Sequence, residues 1–252
     1  MDSKALFSEK VERYRNSRPK YACGLMNYMK ETFDINETTT IADIGAGTGI
    51  FTELLLDLGA KVIAVEPNAA MVEQLRLALY CKELEIHERP AESTEIESNT
   101  VDIITAAQSF HWFDKALFKA ECKRLLNGNG PVCLIWNTRV VDEPINVKTA
   151  EIYTAFCPDF KGSVSFAGGA NHSEEDIAEF FEGEFEKKVY EFPLTYDKQG
   201  FVDRALSASY ALVEGDKHFE TMTKAFEALF DRYAEDGKVV VPNKSVLYYG
   251  NI

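Results

Sequence analysis

The sequence is poor in the features that mark secreted, metal-binding and membrane proteins. Its five cysteines, at positions 23, 81, 122, 133 and 157, are an odd number and form no C-x-x-C motif. This distribution is typical of reduced thiols and argues against a disulfide framework and a zinc site. No apolar run approaches the roughly 20 residues that cross a bilayer. The first four residues lack the apolar region of a signal peptide. We therefore expect a cytoplasmic protein without a metal or a membrane partner.

Positive charge is also scarce. Lys and Arg together number 27 against 41 Asp and Glu, which gives a formal net charge of −14. A chain this acidic repels phosphate backbones, so a nucleic-acid partner is disfavoured. Excess carboxylates are typical of solvated helix faces that keep a protein soluble.

A regular alternation of strand and helix patterns dominates the first half of the chain. Helical patterns alternating with buried strands indicate right-handed βαβ units and a parallel sheet covered on both faces. Short apolar, often β-branched runs predict strands at 38–44, 61–66, 84–88, 101–107 and 131–136. Helices are predicted at 21–33, 48–58, 69–80 and 115–126, with Gly59 as a left-handed cap of the second.

The alternation breaks after residue 137. Residues 138–183 contain prolines, glycines and aromatics, and a long connection of this kind is usually functional or disordered. Because the aromatic content argues against disorder, we predict a lid over the sheet. Ser173 is the predicted N-cap of a following helix. Further elements are predicted as a strand at 185–195, helices at 198–212 and 216–234, and a final strand at 238–249.

The most informative motif is Asp43-Ile44-Gly45-Ala46-Gly47-Thr48-Gly49, where a predicted strand meets a predicted helix. No lysine follows it, which excludes the phosphate loop of nucleoside triphosphatases. A dinucleotide site needs G-x-G-x-x-G or G-x-G-x-x-A, but the third position here is Ile50 and the last glycine comes one residue early. The motif is therefore G-x-G-x-G preceded by Asp43.

This loop suits a ligand without phosphates. Glycines let the backbone approach the methionine and ribose portions of S-adenosylmethionine closely, and the Asp43 carboxylate complements the ligand's ammonium group. Glu66 ends the second predicted strand, 19 residues after Gly47, and can accept hydrogen bonds from both ribose hydroxyls. That geometry serves S-adenosylmethionine and NAD alike, and the competing interpretation of Glu66 is a solvated strand end.

These motifs resemble those of class I S-adenosylmethionine-dependent methyltransferases. The subgroup they resemble is the small-molecule type related to the ubiquinone/menaquinone-biosynthesis and trans-aconitate methyltransferases. The resemblance is specific over residues 39–137 and general over 138–252. It rests on the 43–49 loop, Val65-Glu66-Pro67-Asn68 with Met71, Pro90-Ala91-Glu92, the segment from Ala106 to Asp114, and an N-terminal cap from Phe7 to Pro19.

The resemblance implies an α/β fold of the Rossmann-like, three-layer type. Its seven-stranded, mostly parallel sheet would have an antiparallel last strand, a hairpin between strands six and seven, and a lid insert after strand five. The cofactor would lie across the carboxyl ends of the first, second and fourth strands. We expect a single methyltransferase domain with a cap at 1–35, a cofactor-binding half at 36–137, a lid at 138–183, and C-terminal strands and helices at 184–252.

The resemblance also implies S-adenosyl-L-methionine as cofactor and a small-molecule methyl acceptor, with O-, N- or C-methylation left open. We expect a monomer or a homodimer. The predicted cofactor-binding residues are Tyr14, Arg18, Asp43, Gly45, Ala46, Gly47, Thr48, Gly49, Glu66, Pro67, Met71, Ala91, Glu92, Ala107 and Gln108. The predicted substrate residues are Trp112, Phe113, Asn137, Tyr153, His172 and Tyr210. Packing is the competing interpretation for all of them except Asn137, which ends the fifth strand.

His111 is the candidate catalytic base, because it follows the fourth strand at the mouth of the predicted pocket. The competing interpretation is a histidine that packs between Phe110 and Trp112 and bonds to backbone. Methyl transfer needs a base only when the acceptor arrives protonated, since the cofactor carries the reactive group. Two other functions stay open: a non-catalytic sensor or scaffold that binds the cofactor or its product, and a nicotinamide oxidoreductase, which Ile50 disfavours.

Overall fold

The computed structural model describes residues 20–80, 82–162, 174–208 and 210–252. The predicted site residues Tyr14, Arg18 and His172 and the predicted cap Ser173 lie outside these ranges. The chain separates into two compact units. One, here the sheet unit, holds the described residues of 20–136, 171–190 and 245–252. The other, the helical unit, holds those of 137–170 and 191–244, so the predicted lid shares a unit with much of the C-terminal part.

Seven strands form one sheet: β1 (Thr40–Ile44), β2 (Lys61–Val65), β3 (Glu85–His87), β4 (Ile103–Ala107), β5 (Val132–Arg139), β6 (Glu186–Glu191) and β9 (Asn243–Gly250). Their order in the sheet is β3-β2-β1-β4-β5-β9-β6. The strands β1 to β5 pair in parallel with one another, and an antiparallel strand completes the sheet, as predicted. The order reverses at β1, which lies between β2 and β4, and ligands of open α/β sheets bind at such a switch point.

Three helices of the sheet unit begin at a capping side chain or at a glycine. Asn68 and Asp114 each accept two backbone N–H bonds in the first turn of a helix. One helix begins at Ile50 and not at Thr48 as predicted, because Gly49 caps it in the left-handed conformation. Gly59 has φ = +99°, which confirms the predicted cap. The helices are α1 (Cys23–Thr32), α2 (Ile50–Asp57), α3 (Ala69–Ala78), α4 (Lys115–Leu125) and α6 (Glu174–Phe180).

Aromatic side chains fill the core of the sheet unit between α4 and α6. The Phe110 and Phe180 rings are 4.9 Å apart edge to face, and Phe118 stacks on Phe180 at 5.7 Å. Ion pairs extend this packing, since Lys115 lies 2.5 Å from Asp176 and Lys119 lies 2.7 Å from Glu182. The single turn of 3-10 helix at Phe110–Trp112 is therefore anchored from below by a packed aromatic layer.

The helical unit contains α5 (Pro144–Phe156), α7 (Lys198–Leu206), α8 (Phe219–Tyr233) and a two-stranded antiparallel sheet of β7 (Leu194–Tyr196) and β8 (Val239–Val241). The predicted continuous strands at 185–195 and 238–249 are each split, at Pro193 and at Pro242. Proline lacks the N–H that a strand interior needs. The implied hairpin is also absent between β6 and β9, where β7, α7, α8 and β8 intervene. Among the described helices, none has the length and apolarity needed to cross a bilayer.

Candidate functional site

The turn between β1 and α2 contains three glycines with left-handed backbone. Gly45, Gly47 and Gly49 have φ values of +72°, +57° and +85°. A Cβ on Gly45 would lie 2.4 Å from the Cβ of Ser109, so no larger residue fits there. Among the described residues, none would lie within 4 Å of a Cβ on Gly47. The loop is thus packed behind Gly45 and open at Gly47, where a ligand can approach the backbone.

Glu66 joins this loop to the end of β2. Its side chain is buried, and its two oxygens accept bonds of 2.9 Å from the backbone N–H groups of Gly47 and Asn68. The loop is also bonded to the carbonyl oxygen of Val65 by the N–H groups of Gly45 and Ala46, at 2.8 and 3.0 Å. Because each carboxylate oxygen can accept two bonds, Glu66 retains capacity for two further donors. The solvated strand end is therefore the wrong interpretation of Glu66.

Asp43 lies directly behind the loop and is 1% exposed. Its oxygens accept bonds from the hydroxyls of Thr52, at 2.6 Å, and Thr105, at 2.9 Å. Burial raises the pKa of Asp43 to about 6, against the lowering effect of the two hydroxyls and with a further increase from the charge of Glu66. Neither threonine is among the residues predicted from the sequence, although a hydroxyl within an otherwise apolar buried strand was a usable signal at Thr105.

The end of β4 forms the next wall of the site. Gln108 has φ = +58°, and its N–H donates to the carbonyl oxygen of Ile135 at 2.9 Å. A left-handed conformation costs a non-glycine residue about 1–2 kcal/mol, and such residues cluster at functional sites. The Ser109 hydroxyl donates to the Ile44 carbonyl oxygen at 2.8 Å, so it links the residue after Gln108 to the end of β1. Ala107 is the last residue of β4.

The segment after β3 closes the same edge of the sheet. Val65 pairs with His87, and the Glu66 N–H donates to the His87 carbonyl oxygen at 3.1 Å. Ala91 is buried, and Glu92 accepts a 2.8 Å bond from the N–H of Asp114. The structure therefore brings the predicted residues at the ends of β1, β2, β3 and β4 to one edge. Of the remaining predicted residues there, Thr48 is buried, Met71 is half-buried, and Pro67 is exposed.

The aromatic residues after β4 divide into anchors and exposed groups. Phe110 is fully buried, whereas Trp112 is 80% exposed, so core packing is the wrong interpretation of Trp112. Phe113 packs against Phe118 at 4.8 Å, and its Cζ lies 3.2 Å from where a Cβ on Gly45 would be. The His111 ring lies 4.9 Å from that of Trp112. His111 is thus held on a short turn beside the loop, and its role as a base stays a prediction.

Two predicted substrate residues lie within the core of the helical unit. Tyr153 is fully buried, and its hydroxyl donates to the Ala205 carbonyl oxygen at 2.8 Å. Tyr210 packs on Tyr153 at 4.9 Å and on Phe160 at 5.1 Å. The prediction of Tyr153 as a substrate contact is wrong, because its ring and hydroxyl are already engaged. Asn137 lies inside β5, which extends beyond the predicted end of that strand to Arg139.

Comparisons with known proteins agree with this geometry. Residues 42–134 match the sequence model of a family described as "Methyltransferase domain". An uncharacterized methyltransferase-like protein of Schizosaccharomyces pombe is 32% identical over 161 residues, which are 64% of this chain and 62% of that protein. An uncharacterized methyltransferase of Mycobacterium tuberculosis is 33% identical over 138 residues, 55% of this chain and 54% of that protein. The chain thus spans less than two thirds of these relatives.

The fold extends this similarity over nearly the whole chain. A solved structure of a protein proposed to be a type II methyltransferase from Anaeromyxobacter dehalogenans superimposes with a TM-score of 0.64. The two are 18% identical, and the alignment covers 93% of this chain and 97% of that one. At this identity the superposition establishes the fold.

Proposed function

We propose that this chain, which has the class I methyltransferase fold and a methyltransferase domain at residues 42–134, transfers the methyl group of S-adenosylmethionine to a small-molecule acceptor. The observation that carries the proposal is the glycine loop, whose backbone is open at Gly47 and bonded there to the buried Glu66 carboxylate. A loop lined by backbone and carboxylate suits a cationic ligand without phosphates.

The residues at the site fit the groups of this cofactor. Glu66 has two unused acceptor positions for the two ribose hydroxyls. The donors to Asp43 are neutral hydroxyls, so they do not cancel the negative charge of its deprotonated carboxylate. That charge attracts the ligand's ammonium group. When bound, the cofactor supplies a methyl group already activated by its sulfonium. The protein's task is then to orient the acceptor and exclude water.

The short turn at Phe110–Trp112 is the part of the described site best placed to meet an acceptor. Phe110 fixes the turn in the core, while Trp112 presents an exposed ring and His111 an imidazole beside it. Trp112 offers an apolar, electron-rich face for a partly apolar acceptor. His111 accepts the acceptor's proton where that acceptor carries one. The net charge of −14 further supports a small metabolite over a nucleic acid.

Binding measurements on the wild type and two glycine variants test the proposal. Gly47→Ala and Gly59→Ala each place a methyl group in open space at a positive φ, and only Gly47 lies in the proposed site. Isothermal titration should give micromolar binding of S-adenosylmethionine and S-adenosylhomocysteine by the wild type and Gly59→Ala, and at least tenfold weaker binding by Gly47→Ala. Tight binding of NAD would overturn the proposal.

A labelled-methyl screen against a metabolite library then separates an enzyme from a binding protein. Transfer to any small acceptor, with loss of transfer in Gly47→Ala, supports the enzyme. Tight cofactor binding with no transfer to any acceptor in the library would favour the sensor or scaffold.

A further inference from the structure

Glu121, in the middle of α4, has a buried carboxylate. It is bonded to a residue of a neighbouring loop as well as to a residue of its own helix. One of its oxygens accepts bonds from both the N–H and the hydroxyl of Thr94, at 2.8 and 2.7 Å. Arg124 donates to both carboxylate oxygens at 2.8 Å, which makes a bidentate ion pair. Thr94 is fully buried, so its two bonds to Glu121 are shielded from water.

Arg124 and His87 extend this network along the same loop. Arg124 also donates to the Ile96 carbonyl oxygen at 2.8 Å and to the Ser98 hydroxyl at 2.9 Å. The Nδ1 of His87 is 2.8 Å from the Thr94 carbonyl oxygen. Residues 88–98 form no helix or strand, so these side-chain bonds define the loop's conformation in place of a backbone ladder.

This loop contains two residues of the candidate cofactor site. Ala91 and Glu92 precede Thr94, and the loop leaves β3 next to the end of β2, where Glu66 is bonded to His87. Glu92 is bonded in turn to the N–H of Asp114, the capping residue of α4. The 88–98 loop is thus bonded to α4 at its N-terminus, through Asp114, and along its second half, through Glu121 and Arg124.

We propose that Glu121 is a positioning residue for the adenosine half of the cofactor pocket. Through Thr94 and Arg124 it fixes the 88–98 loop so that Ala91 and Glu92 form their side of the pocket before the ligand arrives. Glu121 itself touches no ligand. The inference rests on the proposed function, because it assumes that this edge of the sheet binds an adenosylated cofactor. A preorganised loop lowers the ordering cost of binding, so its release weakens affinity rather than the rate at saturation.

The permanent charge of Glu121 supports this role. Burial alone would raise the pKa of Glu121, but the bonds from Arg124 and Thr94 outweigh that effect and hold the pKa at about 2. The carboxylate is therefore ionised throughout the range in which the cofactor would be bound.

Titration of Glu121→Gln with adenosine and with S-adenosylhomocysteine tests the proposal. Glutamine keeps one oxygen for Thr94 but loses the ion pair with Arg124. We expect both ligands to bind about tenfold more weakly, by the same factor, because they share the adenosine half. Asp43→Asn, on the methionine side, should weaken only S-adenosylhomocysteine. At saturating cofactor, the kcat of Glu121→Gln should match that of the wild type.

A second ion-pair variant controls for a general loss of stability. Glu182→Gln removes the pair with Lys119, also on α4, without touching the 88–98 loop, and should leave both affinities unchanged. If Glu121→Gln fails to fold, Thr94→Val decides. It removes the hydroxyl's bond to Glu121 and its bond from the Ile96 N–H, and it should weaken adenosine binding several-fold. Wild-type affinity for adenosine in the folded variant would overturn the inference. Absence of S-adenosylhomocysteine binding by the wild type would instead overturn the proposed function.

Discussion

The carboxylate of Glu66 accepts a hydrogen bond from the backbone N–H of Gly47 at 2.9 Å, so the end of β2 stabilises the conformation of the loop that follows β1. The donor is Gly47, which has free space among the described residues where a Cβ would lie. The acceptor is Glu66, whose carboxylate has unused acceptor positions. If the proposed function holds, loop shape and cofactor recognition depend on the same carboxylate.

Replacing Glu66 by Gln tests whether this carboxylate shapes the loop and binds the cofactor, in contrast to a carboxylate that only adds charge to the surface. Glutamine can bond only one of the two backbone N–H groups through its oxygen, and it lacks the charge that favours hydroxyl donors. We expect S-adenosylmethionine affinity to fall at least tenfold by isothermal titration. Glu73→Gln, an exposed position on α3, is the control and should bind as the wild type does. Equal affinities of the two variants would contradict the assignment.

Gly45→Ala should damage the fold more than Gly47→Ala. Both introduce a Cβ at positive φ, which costs about 1 kcal/mol. At Gly45 the new atom also meets Ser109 at 2.4 Å, and overpacking costs a further 1–3 kcal/mol or so. Urea unfolding should show the difference, and adding Ser109→Gly should restore part of the lost stability. A Gly45→Ala protein as stable as Gly47→Ala would show that the loop can shift away from Ser109.

Asp43 should make the protein less stable as pH rises from about 4 to about 6. Burial raises its pKa in the folded state from 3.8 to about 6, so between these values the folded protein binds more protons than the unfolded chain. The loss amounts to about 3 kcal/mol at most. Asp43→Asn should lack this decline while losing cofactor affinity. The free energy of unfolding of both proteins between pH 4 and 7 tests this, and parallel pH profiles would refute it.

Glu121 should act in the opposite direction, and in acid. Its pKa in the folded state is about 2, below the ordinary value of 4.5, so its contribution to stability is present above pH 4.5 and is lost as the pH falls toward 2. Chemical unfolding at pH 3 and pH 6 should therefore show a smaller drop for Glu121→Gln than for the wild type. An equal drop in both proteins would mean that the network with Arg124 and Thr94 adds nothing to stability.

His111→Ala distinguishes a base from a packing residue. The variant should bind S-adenosylmethionine as the wild type does, because His111 lies on the turn after β4 and not in the glycine loop. Its turnover with a protonated acceptor should fall about 100-fold or more, which is typical of a lost general base. Full turnover would leave His111 as a packing residue, and Phe118→Leu, in the aromatic layer below, controls for a loosened turn.

The sequence predicted the architecture well where the hydrophobic periodicity and the positions of glycines indicated the same elements. The alternation from β1 to β5 and the loop from Asp43 to Gly49 are local patterns, and each is found within a few residues of its predicted position. The chain after residue 137 was less readable. Pro193 and Pro242 interrupt apolar runs that otherwise have strand periodicity, and only the pairing of β7 with β8 shows where the interrupted pieces go.

Contacts between residues that are far apart in sequence also could not be predicted. Thr94 and Glu121 are 27 residues apart, and no spacing rule links a loop threonine to a glutamate in the middle of a helix. Tyr153 was predicted to contact the substrate because aromatic residues occur in binding sites as well as in cores. Its burial follows from packing with Tyr210 and Phe226, which are far from it in sequence. Such contacts depend on tertiary structure, so pattern analysis cannot assign them.

Two prolines lie between the strands of the seven-stranded sheet and those of the two-stranded sheet: Pro193 follows β6, and Pro242 precedes β9. Proline has no N–H, so neither residue can donate a ladder bond. We therefore expect insertions or deletions in the segment between the two prolines to leave the register of β6 and β9 unchanged.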